Sequence, residues 1–372
     1  MLYLPYAGLY RVMSVEINPV FIPEDMGLER TPNARDAFAP GELVNFDHKT
    51  LFYDVFIDEK DSSLVAIGPP GLNLHGYMES ATLVVNGKKI PFSLSEHEEH
   101  KLSFMKARVE PADDYEVVFQ FEGFHVTHRL KGLSVPVGKS VLVAISKNNR
   151  VEWISDWVDF YSANYNLDEI YIYDNGSDNV DELERELAGR AHIIRWGYPY
   201  GPPGKRFNKF AQPGALNHCL HRFAKDGVLF NFDIDELLIA NRQDIDRDVE
   251  KNGTLYLASY NVPFVKLDKS SYSYYDFCHR EARRKKSARK FVCRYDAVDI
   301  ISQHNTWTYR KLLFKKRLKR NKPERLESRR GFFMHFLGIT TNWQPGLEKL
   351  KEVPLDTLVR DPSHIDMRPK GD

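Results

Sequence analysis

Leu229-Phe230-Asn231-Phe232-Asp233-Ile234-Asp235-Glu236-Leu237-Leu238 is an apolar run broken by three carboxylates. Read as the end of a buried strand, whose side chains alternate between faces, it sends Asp233 and Asp235 the same way and Ile234 into the core. Two carboxylates so placed form a pincer for a hard divalent cation, Mn²⁺ or Mg²⁺. Such ions take oxygen ligands and leave positions open for substrate phosphates. Asp-X-Asp alone is a short motif, and a strand ending in solvated acids is its commoner meaning.

The upstream sequence gives the motif a setting. Ser140-Val141-Leu142-Val143-Ala144-Ile145 is a strand-like apolar run that ends in Ser146-Lys147-Asn148-Asn149. Apolar residues then recur at helical spacing from Val151 to Tyr161. Ile170-Tyr171-Ile172-Tyr173 reads as a second strand and runs into Asp174-Asn175-Gly176-Ser177-Asp178, where Asn-Gly is turn chemistry. Strand, helix and strand in that order make a parallel crossover unit, and open parallel sheets bind ligands beyond the carboxyl ends of their strands. The three polar turns therefore converge on one edge.

Lys147-Asn148 before a Trp-containing helix, Tyr173-Asp174-Asn175-Gly176-Ser177, Gln212 with Asn217-His218-Cys219-Leu220, and Phe232-Asp233-Ile234-Asp235-Glu236 follow one another in this order. In that respect residues 138–340 resemble GT-A glycosyltransferases, nearest to the family 92-like and family 2-like enzymes. The resemblance implies an α/β GT-A domain with a Rossmann-like mixed sheet. It also implies nucleotide contacts at Ser146, Lys147, Asn148, Asp174, Asn175 and Gln212, and a metal bridging donor phosphates at Asp233 and Asp235, with His304 as a further ligand. His335-Phe336-Leu337 resembles the family's His-Tyr-Arg segment near the phosphates, with Leu337 standing where Arg is common. The expected reaction moves a hexose from a nucleoside diphosphate sugar, a UDP-sugar, to a glycan or lipid-linked glycan in bacterial surface polysaccharide synthesis. Inverting transfer needs a carboxylate base near the acceptor hydroxyl. Asp268, Asp276 and Glu281 are the alternatives, and a retaining course stays open. Lys205, Arg206 and the run Lys285 to Lys290 are candidates to steady the leaving group, although charge runs are usually solvated faces. The rivals are a nucleotidyltransferase, which would want a Gly-rich basic loop after the first strand, and a non-catalytic glycan-binding protein on the same scaffold.

Composition narrows the setting. The 372 residues carry 52 Lys and Arg against 52 Asp and Glu, so bulk attraction to nucleic acid is not expected. Cys219, Cys278 and Cys293 are too scattered for a zinc ribbon and odd in number for a disulfide framework, which points to free thiols and a reducing compartment. With no leader pattern and no long apolar run, a cytoplasmic location is expected. Residues 1–137 are β-prone and sandwich-like, with Asn86-Gly87 as a hairpin signal. Residues 138–340 form the transferase domain and 341–372 a C-terminal tail. Basic residues from Arg310 to Arg325 surround Leu312, Leu313, Phe314 and Leu318, which reads as a basic helix able to rest peripherally on the inner face of an anionic membrane.

Overall fold

Tyr115, Val117, Phe119 and Phe121 are buried while Glu116 and Gln120 between them are exposed, the two-residue period of a strand with one face on a core. This computed structural model describes residues 15–133, 137–265, 271–312, 315–339 and 353–369. Its first region is an eight-stranded sheet made of two antiparallel halves. The halves join through one short parallel pairing, Gly132 with Ile57 and Leu133 with Asp58. Val55, Ile57, Leu64 and Ala66 of one half share a core with Val117, Phe119 and Leu130 of the other. Asn86 and Gly87 both have positive φ, 48° and 76°, and join paired strands at Val85 and Lys88, so the expected hairpin is present.

The second region is a mixed sheet. Its elements are β1 (Ser140–Ser146), α1 (Val151–Tyr165), β2 (Glu169–Asp174), α2 (Val180–Glu186), β3 (His192–Arg195), α3 (Ala211–Arg222) and β4 (Val228–Asn231), then β5 (Glu236–Ile239), α4 (Arg242–Asn252), β6 (Thr254–Val262), β7 (Lys285–Arg294) and β8 (Phe332–Phe336). The strand order is β3-β2-β1-β4-β7-β6-β8-β5. The first four strands are mutually parallel, and β7 runs antiparallel to β4. Along β1, Leu142 and Ala144 pack with α1, whereas Val141 and Val143 pack with α3, so these helices cover opposite faces. The chain thus leaves β1 toward β2 on one side and returns to β4 on the other, which opens a crevice at their carboxyl ends.

The two regions share buried polar contacts. Asp54 accepts from His218 Nε2 at 2.7 Å, from Arg222 Nη1 at 2.6 Å and from the backbone N–H of Asn18 at 2.7 Å. A Cβ on Gly214 would meet the Tyr53 ring at 2.5 Å, so the glycine permits the close approach of α3. Among the described residues, no helix is long and apolar enough to cross a membrane, and all three cysteines are free.

The expected basic helix is a β-hairpin. Thr306–Leu312 pairs antiparallel with Lys315–Arg320, and Ile300–Ile301 adds to its edge. The β-prone Thr306-Trp307-Thr308-Tyr309 and a third strand to pair with outweigh the helical spacing of a few leucines. The membrane contact argued from a helical apolar strip loses its basis with it. Residues 313 and 314 lie outside the described residues. Residues 341–352 and 370–372 of the expected tail do too, whereas Val359–Arg360 pairs with His279–Arg280.

Candidate active site

The strand before the acids is shorter than expected: β4 stops at Asn231, and Asp233-Ile234-Asp235 forms a turn that leads into β5. Ile234 is buried, as alternation implied, but a turn rather than a strand brings the carboxylates together. Oxygens of Asp233, Asp235 and Glu236 lie within 4.8 Å of one another.

The aromatic residues of α1 hold this turn. Trp157, Tyr161 and Tyr165 recur every four residues and so share a helix face. Trp157 Nε1 donates to the carbonyl oxygens of Asp233 and Glu236, both at 3.1 Å. Tyr161 donates to Glu236 O at 3.1 Å, Tyr165 to Leu238 O, and Tyr274 to Ile234 O. Buried carbonyls need donors, and four aromatic side chains provide them.

Two cations balance the acids. Lys290, fully buried on β7, lies 2.6 Å from Asp233 Oδ2 and 3.4 Å from Glu236 Oε2. His335 Nε2 on β8 lies 3.1 Å from Asp235 Oδ2. Loss of water pushes the Asp233 carboxyl up, but Lys290 and Gln303 outweigh that and hold it below its ordinary range. Burial raises Glu236 to about 8 against the pull of Lys290, with Asp233 and Asp235 pushing the same way. For His335, burial favours the neutral ring, yet Asp235 overrides it and lifts the pKa to about 9. Asp233 Oδ1 and Asp235 Oδ1 receive no hydrogen bond from any described residue. An all-oxygen donor set with free lone pairs fits a hard divalent cation such as Mn²⁺ or Mg²⁺.

The nucleotide-side residues divide into two kinds. Asn148 joins the turns after β1 and β2, since its N–H donates to Ser177 Oγ at 2.7 Å and its Oδ1 accepts from Asp178 N at 2.8 Å. Ser146 Oγ accepts from Asn149 at 2.8 Å, and Asn175 Nδ2 donates to Trp196 O and Tyr198 O, both at 2.7 Å. These three side chains shape the edge. Asp174 does more: its Oδ2 accepts from the N–H groups of Gly176 and Ser177, while its buried Oδ1 has no hydrogen-bond partner among the described residues. Lys147 is half-buried beside them, and Gln212 accepts from Tyr200 at 3.0 Å.

His304 stands apart from the three-acid group. Its Nδ1 faces Arg289 O at 3.0 Å, and burial lowers its pKa to about 4. It lines a cavity with Gln303, whose Nε2 donates to Asp233 Oδ2 at 3.1 Å. Of the base candidates, Asp268 lies outside the described residues. Asp276 Oδ2 accepts from Ser273 N at 2.7 Å in a capping box. Glu281 Oε1 accepts from Asn261 Nδ2 at 3.3 Å, and Asn261 pairs in register with His335.

Glu236 acquires a role that the sequence left unassigned, and Lys290 pairs with the acids rather than standing out from its run as a leaving-group contact. A third acid directly after Asp-X-Asp was the available signal for Glu236. Nothing separates Lys290 from the other basic residues of its strand until Asn231 and Phe291 are seen to pair, which seats Lys290 beside the turn.

A crevice at the carboxyl ends of parallel strands, edged by an acidic turn and an unpartnered carboxylate oxygen, suits a metal ion and a nucleotide. The family model for glycosyltransferase family 92 matches residues 143–365, more than half of the chain. The chain belongs to that family. No curated protein sequence matches it. Among solved structures, TarS 1–349 of S. aureus is similar over 42% of this chain and 47% of its own, at 13% identity and a TM-score of 0.26. The same fragment in complex with UDP-GlcNAc matches over 36% and 37%, at 14% identity and a TM-score of 0.25. The chain thus spans less than half the length of these structures.

Proposed function

We propose that this family 92 glycosyltransferase is metal-dependent and moves a hexose from a nucleoside diphosphate sugar, a UDP-sugar, to a hydroxyl of a glycan or lipid-linked glycan. The observation that carries it is the group of Asp233, Asp235 and Glu236 at the crevice edge, with free carboxylate oxygens on the first two. When bound there, a divalent cation supplies charge for the departing diphosphate as a Lewis acid. Lys290 orients Asp233 and Glu236, and the protonated His335 ring orients Asp235. The unpartnered Asp174 Oδ1 accepts from an N–H of the nucleoside base.

Glu281 is our choice of general base. Its support is the hydrogen bond from Asn261, whose partner across the sheet is His335. Its carboxylate takes the acceptor proton as that oxygen attacks the anomeric carbon. The carbon–oxygen bond to phosphate breaks with its electron pair leaving on the diphosphate, which inverts the centre.

A panel of nucleotide sugars offered with Mn²⁺, Mg²⁺ or EDTA tests the proposal. One donor is expected to bind and to hydrolyse slowly only with metal, and Asp235→Asn should lower turnover by about a hundredfold or more. Calorimetry of donor binding supplies a second readout. If no donor shows metal-dependent binding or turnover, the proposal fails.

A further inference from the structure

A cavity of about 450 Å³ opens beside the acidic turn. Gln303 and His304 form one wall, Tyr200, Arg206 and Lys209 from the β3–α3 connection form another, and His100 and Lys101 of the first region close it. Gln303 also donates to Asp233 Oδ2 at 3.1 Å, so a lining residue of the cavity touches the metal-type site.

Its charge is unbalanced. Among the described residues, Lys101, Arg206 and Lys209 have no carboxylate within ion-pair distance. The acids nearby are engaged elsewhere. Glu99, which also lines the cavity, lies 2.5 Å from Arg35, and Glu42 is 3.0 Å from Lys205. Asp36 accepts from Phe207 N at 2.9 Å and Asn208 Nδ2 at 2.8 Å. Burial, with Arg206 and Lys209 adding repulsion that outweighs the pull of Asp36, lowers the Lys101 ammonium to about 8. Lys101 has a left-handed backbone, φ 65°, at the end of a short turn, and lines the cavity together with Arg206 and Lys209 of the other region. Aromatic surfaces accompany the charge: Trp307 and Tyr200 line the cavity, with Trp307 4.4 Å from His100 between ring centres. Clustered cations without an ion-paired carboxylate are repelled by one another and favoured by an arriving anion.

We propose that Lys101, Arg206 and Lys209 form an oxyanion-binding subsite, built across the two regions, for a phosphate or carboxylate carried by one of the substrates. It rests on the transferase function proposed above and gives the first region a direct part in substrate recognition. Two sources fit this chemistry, the donor diphosphate and an acidic group on the acceptor.

The test compares wild type with Lys101→Gln/Arg206→Gln/Lys209→Gln by calorimetry, with uridine, UDP, pyrophosphate and, at saturating UDP, a hexose phosphate and a hexuronate. If the donor diphosphate is the ligand, UDP and pyrophosphate should weaken by about tenfold or more in the triple variant while uridine binds unchanged. If the acceptor is the source, UDP should be unaffected and the charged sugars should lose binding. Either outcome supports the subsite. Wild-type levels of anion binding in the triple variant, or no anion binding by wild type, would overturn it. Should the triple variant not fold, Lys101→Gln against the charge-preserving Lys101→Arg, and the salt dependence of wild-type anion binding, decide instead. Because binding is read without turnover, failure here leaves the metal-dependent transfer test standing, and the reverse holds too.

Discussion

Lys290 illustrates what a single buried charge does in this protein. It is removed from water and faces two carboxylates, so its replacement by Met would leave Asp233 and Glu236 opposed without a cation. Breaking such a pair costs about 3 kcal/mol or more. Urea unfolding of Lys290→Met should show a loss of that size, and a loss below about 1 kcal/mol would mean that the pair contributes little. Trp157→Phe is a subtler case. It keeps the aromatic packing but leaves two carbonyl oxygens of the acidic turn without their indole donor. The expected stability loss is about 1–3 kcal/mol, together with weaker Mn²⁺ binding measured by titration. Unchanged metal affinity would show that the turn keeps its shape without the indole.

At the scale of elements, strands and helices with one consistent period were legible. The alternation in residues 115–121, the Asn-Gly turn and the apolar face of α1 each repeat one signal over several residues. The hairpin at 306–320 was not legible, because Leu312, Leu313, Phe314 and Leu318 fit a helical stripe and periodicity over so few positions does not discriminate. What decided it was the strand at Ile300–Ile301, a neighbour invisible in local sequence. The site divides in the same way. Asp233 and Asp235 announce themselves by adjacency, whereas Lys290 and His335 reach the acids only through strand register. The hairpin sets Arg310 opposite Arg317 and Lys311 opposite Lys316. Like charges in direct opposition destabilise a strand pair, so Arg317→Glu should stabilise the fold by about 0.2–1 kcal/mol in thermal or urea unfolding. A destabilised variant would contradict that pairing.

Across the whole molecule, the first region is fastened to α3 by the Asp54, His218 and Arg222 contacts. Burial alone would raise the Asp54 carboxyl, but Arg222 and His218 prevail and hold it at about 2. In an unfolded chain an aspartate titrates near ~3.9. A carboxylate with a depressed folded pKa contributes stability that is fully present above the unfolded value and fades as pH falls toward the folded one. Wild-type stability should therefore decline between about pH 4 and pH 2 more steeply than that of Asp54→Asn, as measured by urea unfolding at each pH. Parallel curves would assign the acid sensitivity to other groups.

The same contacts impose an order in time. Asp54 and Arg222 are 168 positions apart in the chain, and Asn33 and Asn208 are 175 apart. During synthesis the first region emerges with its carboxylate waiting for a helix that the ribosome has not yet made. The surface prepared for α3, with Tyr53 and Phe46 on it, must meanwhile stay exposed or be shielded. Closing so long a span carries an entropic cost before any contact rewards it, and non-local pairings of this kind slow folding. The protein's productive yield in a cell is thus set partly by how long an unfinished chain is protected, a dependence written into the spacing of one buried aspartate and its partners.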